Sequence, residues 1–519
     1  MSLLSPQNLV LVPVMLPLVG AIVAFAVQGL PAQVRSRVQV AVGGAVALGV
    51  LVSSFALWPL VAGEGVVRYT LAGWEAPVGI ILQADGLAVF MLLMTAVVGA
   101  FGCAYAAGSF SGGESRVPFR VEDSLDPRGA FWPLWMFLWG ALNGLFLSGD
   151  AFNLYVTLEL LGLSAAALIS LTGTGTALAA GMRYLLVSLL GSLAYLLGVA
   201  LLYGSFGALD LATLREVVSP VPALFAGVAL ISLGMALKTG LFPLHFWIPS
   251  AYASAPSAAS ALLAGLVGKA SFYLLLRLWF DVFDGPVPVL SGQLLGALGA
   301  AAILWGAFMA MRQRRLKMLL AYSSVSQVGY LFLVFALAGG PDAGRSFDAW
   351  AGAVYLVLAH ATAKAAMFMA AGALIYALGH DEIPRLRGIA QKLPLPTAAF
   401  AVAGITVLGL PTSGGFTAKW LLTSAAIGTG QWWYVLVILA GGVLAAVYLL
   451  RFLNPALIQV RAATLYRYPP AMMTVPAFGL AMLSLTLGFF SAPLIDLLAV
   501  GAPFSPAASI GTPGGTEGG

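Results

Sequence analysis

Apolar runs long enough to cross a bilayer recur along nearly the whole chain. They fall at roughly 8–28, 38–62, 86–107, 130–149, 151–172, 182–204, 222–248, 256–280, 289–311, 316–339, 349–378, 396–426, 431–453 and 471–499. A helix needs about 20 such residues to span the hydrocarbon, so the pattern predicts about fourteen membrane helices. The runs are continuous and lack the period-two alternation of barrel strands. The expected fold class is therefore an all-α polytopic membrane protein. Two runs are interrupted: Gly240, Pro243 and Pro249 break the seventh, and Gly409, Pro411, Gly414 and Gly415 break the twelfth. Proline and glycine at such positions end or kink a helix. The broken runs lie five spans apart and each carries a lysine, Lys238 or Lys419. That spacing suggests two five-helix repeats, and an odd number of spans makes the second inverted relative to the first. The chain divides accordingly. Residues 1–128 hold helices one to three with an outer loop, 129–281 the first repeat and 282–454 the second. Residues 455–501 hold the last helix, and 502–519 form a tail whose Gly, Pro, Ser and Thr content predicts disorder. The first run lacks a basic n-region and a small-residue cleavage site, so it reads as a membrane helix rather than a removed signal.

Composition sharpens this picture. Hydrophobic residues make up 61% and charged residues 8%, with a mean hydropathy of +0.99, which excludes a soluble domain. The net charge of +5 reflects loop topology rather than a nucleic-acid partner. With both termini outside, the inner loops collect Arg35, Arg37, Arg116, Arg120, Arg128, Arg312, Arg314, Arg315, Lys317, Arg385, Arg387, Lys392, Arg451, Arg461 and Arg467. The outer loops hold only Arg68, Arg215 and Arg345. That bias sets the expected orientation in the cell (inner) membrane. The single cysteine, Cys103, allows neither an intramolecular disulfide nor an iron–sulfur cluster. Three scattered histidines give no metal-ligand spacing, and the glycine-rich stretches open no α/β unit, so no cofactor or metal is expected.

The charges that remain inside spans carry the candidate chemistry. They are Arg183, Lys238, Lys269, Arg277, Lys364, Lys419 and one acid, Glu159. Arg183 and Arg277 lie near helix ends, where snorkelling to the headgroups is the expected role. A charge at mid-bilayer costs at least about 2.5 kcal/mol, so the others point to function. Glu159, alone, would be neutralised by desolvation, and Lys238 likewise; close together, each would stabilise the other's charged form. Such a pair is a proton switch governed by distance, and Lys238 is the expected partner of Glu159. His360 and Lys364 are four residues apart, on one helix face, a spacing that suits a relay. His245, between Pro243 and Pro249, is either a relay or a cap of the broken helix. The plainest structural alternative is a scaffold in which these charges only fix helix packing.

The stretches WEAPVGIILQADGLAVF, GDAFNLYVTLELLGLSA, ALKTGLFPLHFWIPSAYASAPSAASALLAGLVGKASFYLLLR, RRLKMLLAYSSVSQVGY, LAHATAKAAMFMAAGAL and GLPTSGGFTAKW are spread in this order over residues 70–425. They resemble the antiporter-like membrane subunits shared by respiratory complex I, membrane-bound hydrogenases and Mrp-type multisubunit Na+/H+ antiporters. DAFNLYV and GGFTAKW are most similar to the MrpD-like branch of the Mrp type. The resemblance implies fourteen core helices with inverted repeats and a proton-translocating subunit of a cation/proton antiporter complex, not an enzyme in itself. It also implies partner membrane subunits, including a second antiporter-like one, with H+ and Na+ as transported ions. The alternative it implies is a proton-pumping subunit of an NADH-quinone oxidoreductase or membrane-bound hydrogenase. By the same resemblance the fifth-helix glutamate is Glu159, the broken-helix lysine Lys238 and the eighth-helix lysine Lys269. The eleventh-helix pair is His360 and Lys364, and the exit residue Lys419. The largest members add a lateral helix after the core. The fourteenth span is the last here, which sets an expectation against those subunits.

Overall fold

The computed structural model describes residues 6–74, 79–111, 127–283, 285–339, 342–459 and 465–504. Arg116, Arg120, Arg461 and the tail beyond Phe504 lie outside them. Among the described residues, thirteen helices are long and apolar enough to cross a membrane. In chain order the elements begin with α1 Val12–Ala26, α2 Ala32–Glu64, β1 Val67–Thr70, β2 Ile81–Ala84, α3 Gly86–Ser111 and α4 Pro127–Leu147. Next come α5 Ala151–Ser170, α6 Gly175–Phe206, α7 Pro222–Thr239, α8 Ile248–Ser254 and α9 Ser257–Val282. Then follow α10 Val289–Met311, α11 Leu316–Leu337, α12 Ala343–Leu378, α13 Pro394–Leu408, α14 Gly414–Gly428, α15 Trp432–Leu457 and α16 Ala471–Ala499. The fourteenth crossing is the pair α13–α14, two half-length helices where the sequence showed one broken run. The fold is an all-α polytopic membrane protein. The one sheet among the described residues, the antiparallel β1–β2 pair, was not legible in the apolar pattern.

Burial sorts the helices. Nearly every residue of α9 is buried, and α12 is buried over most of its length, so both lie inside the bundle. A helix apolar on all sides belongs there. By contrast α6 exposes Leu186, Leu190, Leu193 and Leu197, and α15 exposes Leu436, Leu439 and Val443. Those apolar faces suit lipid, where every backbone polar group must be satisfied within the helix.

The inverted repeat is visible in the backbone. Just before α5, Asp150 bridges Asp210, beyond α6: Ala151 N–H donates to Leu209 O (2.9 Å) and Leu211 N–H to Gly149 O (3.0 Å). Just before α11, Arg315 bridges Glu382, beyond α12: Leu316 N–H donates to Asp381 O and Ile383 N–H to Arg314 O, both at 2.8 Å. The same two-bond clasp thus joins the second and third helices of each repeat, on opposite faces of the protein. The helix breaks correspond as well. α7 ends on Gly240 (φ 75°) with Leu241 N–H on Ala236 O (3.0 Å). α13 ends on Gly409 (φ 82°) with Leu410 N–H on Ile405 O (3.2 Å). Both are Schellman stops needing a left-handed residue, and a proline within two or three residues prevents the helix from resuming.

Candidate functional site

The α7 break holds the first cluster. Lys238 lies in the last turn of α7, where the carbonyl end of the helix dipole favours a cation. Its Nζ donates to Ser192 Oγ of α6 at 2.5 Å and sits 3.6 Å from Glu159 Oε1 of α5. Gly191 and Gly162 make the room: a Cβ on Gly191 would meet Lys238 Cγ at 2.6 Å, and one on Gly162 would meet Ser188 Oγ at 2.6 Å. The Glu159 side chain is 19% exposed and that of Lys238 only 6%, so the acid is the outward member of the pair. A cavity of about 10 Å³, room for a single water, lies between Lys238, Ser188 and Ser271 and reaches the α9 face.

Lys269 lies on α9 just after a π-helical stretch, Leu263–Val267, and donates to Ala264 O within it. The wide turn frees a carbonyl that an α-helix would consume, a feature typical of functional sites. On α12, Lys364 donates to Ser323 Oγ and to Leu320 O (3.2 Å) of α11. One turn back, His360 is 2% exposed, and neither ring nitrogen has a partner among the described residues. Lys419 of α14 reaches back to the end of α13, donating to Val407 O (2.8 Å) and Leu408 O (3.1 Å). It also lies 4.5 Å from the centre of the Tyr330 ring. Carbonyls left open by the break thus hold this lysine, whereas Lys238 sits within the turn that ends its half-helix.

His245 stands apart. It stacks on Phe242 (5.7 Å) and meets Tyr322 edge-on (6.5 Å), while its Nδ1 has no partner among the described residues. Among the described residues its side chain caps no helix.

Residues 148–445 match the family described as NADH:quinone oxidoreductase/Mrp antiporter, TM, more than half of the chain. The chain belongs to this family. Among relatives within the NADH:quinone oxidoreductase/Mrp antiporter family, NADH-quinone oxidoreductase subunit N of Desulforudis audaxviator is 36% identical over 449 residues. That match covers 83% of this chain and 86% of the relative. An Na(+)/H(+) antiporter subunit of Alkalihalophilus pseudofirmus is 29% identical over 496 residues, 94% of this chain and 95% of its own. Among solved structures, a chain of the Mrp complex from a Dietzia species matches with a TM-score of 0.83 and 25% identity. It covers 96% of this chain and 98% of that one.

Two groups in this antiporter-like chain escaped the sequence reading. Arg277 is not a snorkelling anchor. Its side chain is 7% exposed, with Nη2 2.5 Å from Asp85 Oδ1, Nη1 3.0 Å from Asp281 Oδ2 and Nε 3.0 Å from Tyr273 Oη. Both carboxylates lie at span ends, so only the folded chain reveals that they turn inward. Lys317, counted among the inner-loop cations, is buried in the first turn of α11 and donates to Ala255 O (2.5 Å), the carbonyl just past α8. Helical side chains lean toward the N-terminus of their helix, which aims this one at the end of the broken span rather than at solvent. The i+4 series 269, 273, 277, 281 was the signal available in the sequence. At the far end of the first clasp, burial pushes the Asp150 carboxyl up, opposed by the N–H groups of Asn153 and Phe152 that it caps.

Proposed function

We propose that this chain is the proton-translocating subunit of a multisubunit cation/proton antiporter. Protons pass along Lys238, Lys269, His360, Lys364 and Lys419, linked by water, with Glu159 setting the charge state of Lys238. The observation that carries this reading is the Glu159–Lys238 pair, a carboxylate and an ammonium held at 3.6 Å beside a helix break. At that separation the pair is a loose contact rather than a tight salt bridge. A small movement of α5 against α7 therefore changes how strongly the lysine holds its proton. Water supplies the steps between side chains too distant to touch. The chain itself has no catalytic chemistry and works with other membrane subunits. The repeats at 129–281 and 282–454 are the two transport units, and the arginine-rich face is the inner one by the positive-inside bias.

A second reading, the pump arm of a redox complex, is favoured by the 36% identity to an NADH-quinone oxidoreductase subunit N. Purifying the complex in mild detergent through a tag on this chain separates the two. A colourless complex with sodium-dependent proton exchange in vesicles supports the antiporter, while stoichiometric iron supports the redox pump. In either complex, Glu159→Gln and Lys238→Ala are expected to abolish proton movement with assembly intact. Full activity in an assembled variant would refute the switch.

A further inference from the structure

Opposite the arginine-rich face, a cavity of about 500 Å³ opens beside the β1–β2 hairpin. Exposed Arg68, Arg215 and Glu216 stand at its rim, and Asp85, Arg277 and Asp281 form its inner wall. The polar groups of that inner wall hold one another. Asp85 accepts from Ala88 N–H (2.9 Å) and Gln83 Nε2 (3.3 Å) as well as from Arg277. Tyr273 Oη accepts from Arg277 Nε and donates to Phe146 O at 2.6 Å. Behind Arg277 the stripe continues one turn at a time down α9, through Tyr273 to Lys269. A line of polar side chains thus runs from Lys269 to the cavity along a buried helix.

We propose that this stripe is a second proton outlet, private to the first repeat, and that Arg277 is its gate. The inference rests on the proton-translocating reading above. An arginine does not give up its proton, so it cannot relay; its fixed positive charge at a constriction excludes hydronium and other cations. While Arg277 bridges Asp85 and Asp281, a proton on Lys269 cannot reach the cavity and must move laterally toward His360. When the passage opens, the proton leaves Lys269 Nζ and crosses water beside the Tyr273 hydroxyl to the Asp281 carboxylate. Asp281, once neutral, holds Arg277 less firmly, and the proton then passes to water in the cavity. In the present geometry the outlet is closed at two points. Arg277 is clamped on both carboxylates, and Lys269 turns away from Tyr273 toward Ala264 O.

The test is the decay of an imposed pH gradient in vesicles containing the complete complex, with no exchangeable cation present. The same preparations are also assayed for cation/proton exchange. Arg277→Gln is expected to collapse the gradient severalfold faster than the unmodified complex, and adding Tyr273→Phe to slow that leak. Asp85→Asn, which weakens one of the two anchors of Arg277 and leaves Asp281 to accept the proton, is expected to give a smaller leak, and it decides the matter should Arg277→Gln not assemble. Gradients held as tightly as in the unmodified complex by every assembled variant would overturn the outlet. Lack of exchange in the unmodified complex would instead count against the antiporter reading and leave the leak result to be judged separately.

Discussion

Lysine is the residue on which this interior depends, and its partners are unusual. Lys238 has a carboxylate within 3.6 Å, while the ammonium groups of Lys269, Lys317, Lys364 and Lys419 donate to carbonyl or hydroxyl oxygens. Neutral acceptors hold an ammonium without a fixed counter-charge, so the group can lose its proton and leave no stranded carboxylate behind. Arginine offers the same charge and donors but does not deprotonate. Lys419→Arg is therefore expected to keep the contacts to Val407 and Leu408 and a thermal midpoint close to that of the native chain. Exchange in vesicles should fall by about tenfold or more, as expected for a lost proton-transfer group. If Lys419 only tied α13 to α14, the arginine variant would exchange normally. His360 differs from the lysines in having both nitrogens free of protein partners among the described residues. His360→Gln keeps a polar side chain but cannot carry a proton, and loss of exchange with unchanged assembly is the expected outcome.

At the scale of elements, the helix breaks do the positioning. Gly240 is required twice over: its φ of 75° is left-handed, and a Cβ there would lie 2.1 Å from Ile248 Cδ1 of α8. Gly240→Ala is expected to cost about 1–3 kcal/mol through backbone strain and to lower the thermal midpoint measured by differential scanning fluorimetry. An unchanged midpoint would mean that the stop tolerates a side chain. The breaks were legible in the sequence because Gly and Pro interrupt an otherwise continuous apolar run, and so were the lysines beside them. The β1–β2 hairpin was not, since two four-residue strands between long helices leave no periodic signal. Arg277 and Lys317 were misread for a different reason, and the inward turn of Asp85 was hidden by the same one. Hydropathy locates a residue along a span but not around the helix, and these three sit near span ends with side chains directed inward. The clasps at Asp150–Asp210 and Arg315–Glu382 are backbone contacts between segments 60 or more residues apart and carry no sequence mark.

For the whole molecule, the arginine-rich face fixes a direction that experiment can check. Cys103 is buried, so single cysteines introduced elsewhere report their own accessibility. Arg314→Cys in intact cells should resist a membrane-impermeant maleimide that labels Ser219→Cys, and the pattern should reverse in inverted vesicles. The opposite labelling would turn the protein over in the membrane. The scarcity of buried acid has a consequence of its own. With Glu159 beside Lys238 and only neutral acceptors bonded to the ammonium groups of Lys269, Lys364 and Lys419, an interior in which every one of these sites is protonated would carry a large uncompensated charge. Two ammonium groups about 10 Å apart repel by about 2 kcal/mol at an effective dielectric of about 20. The sites therefore fill like seats in a crowded row: an arrival at one end makes every other occupant easier to dislodge. Successive protons then advance by displacement, and the direction of travel is set by whichever end is open when the newcomer sits down.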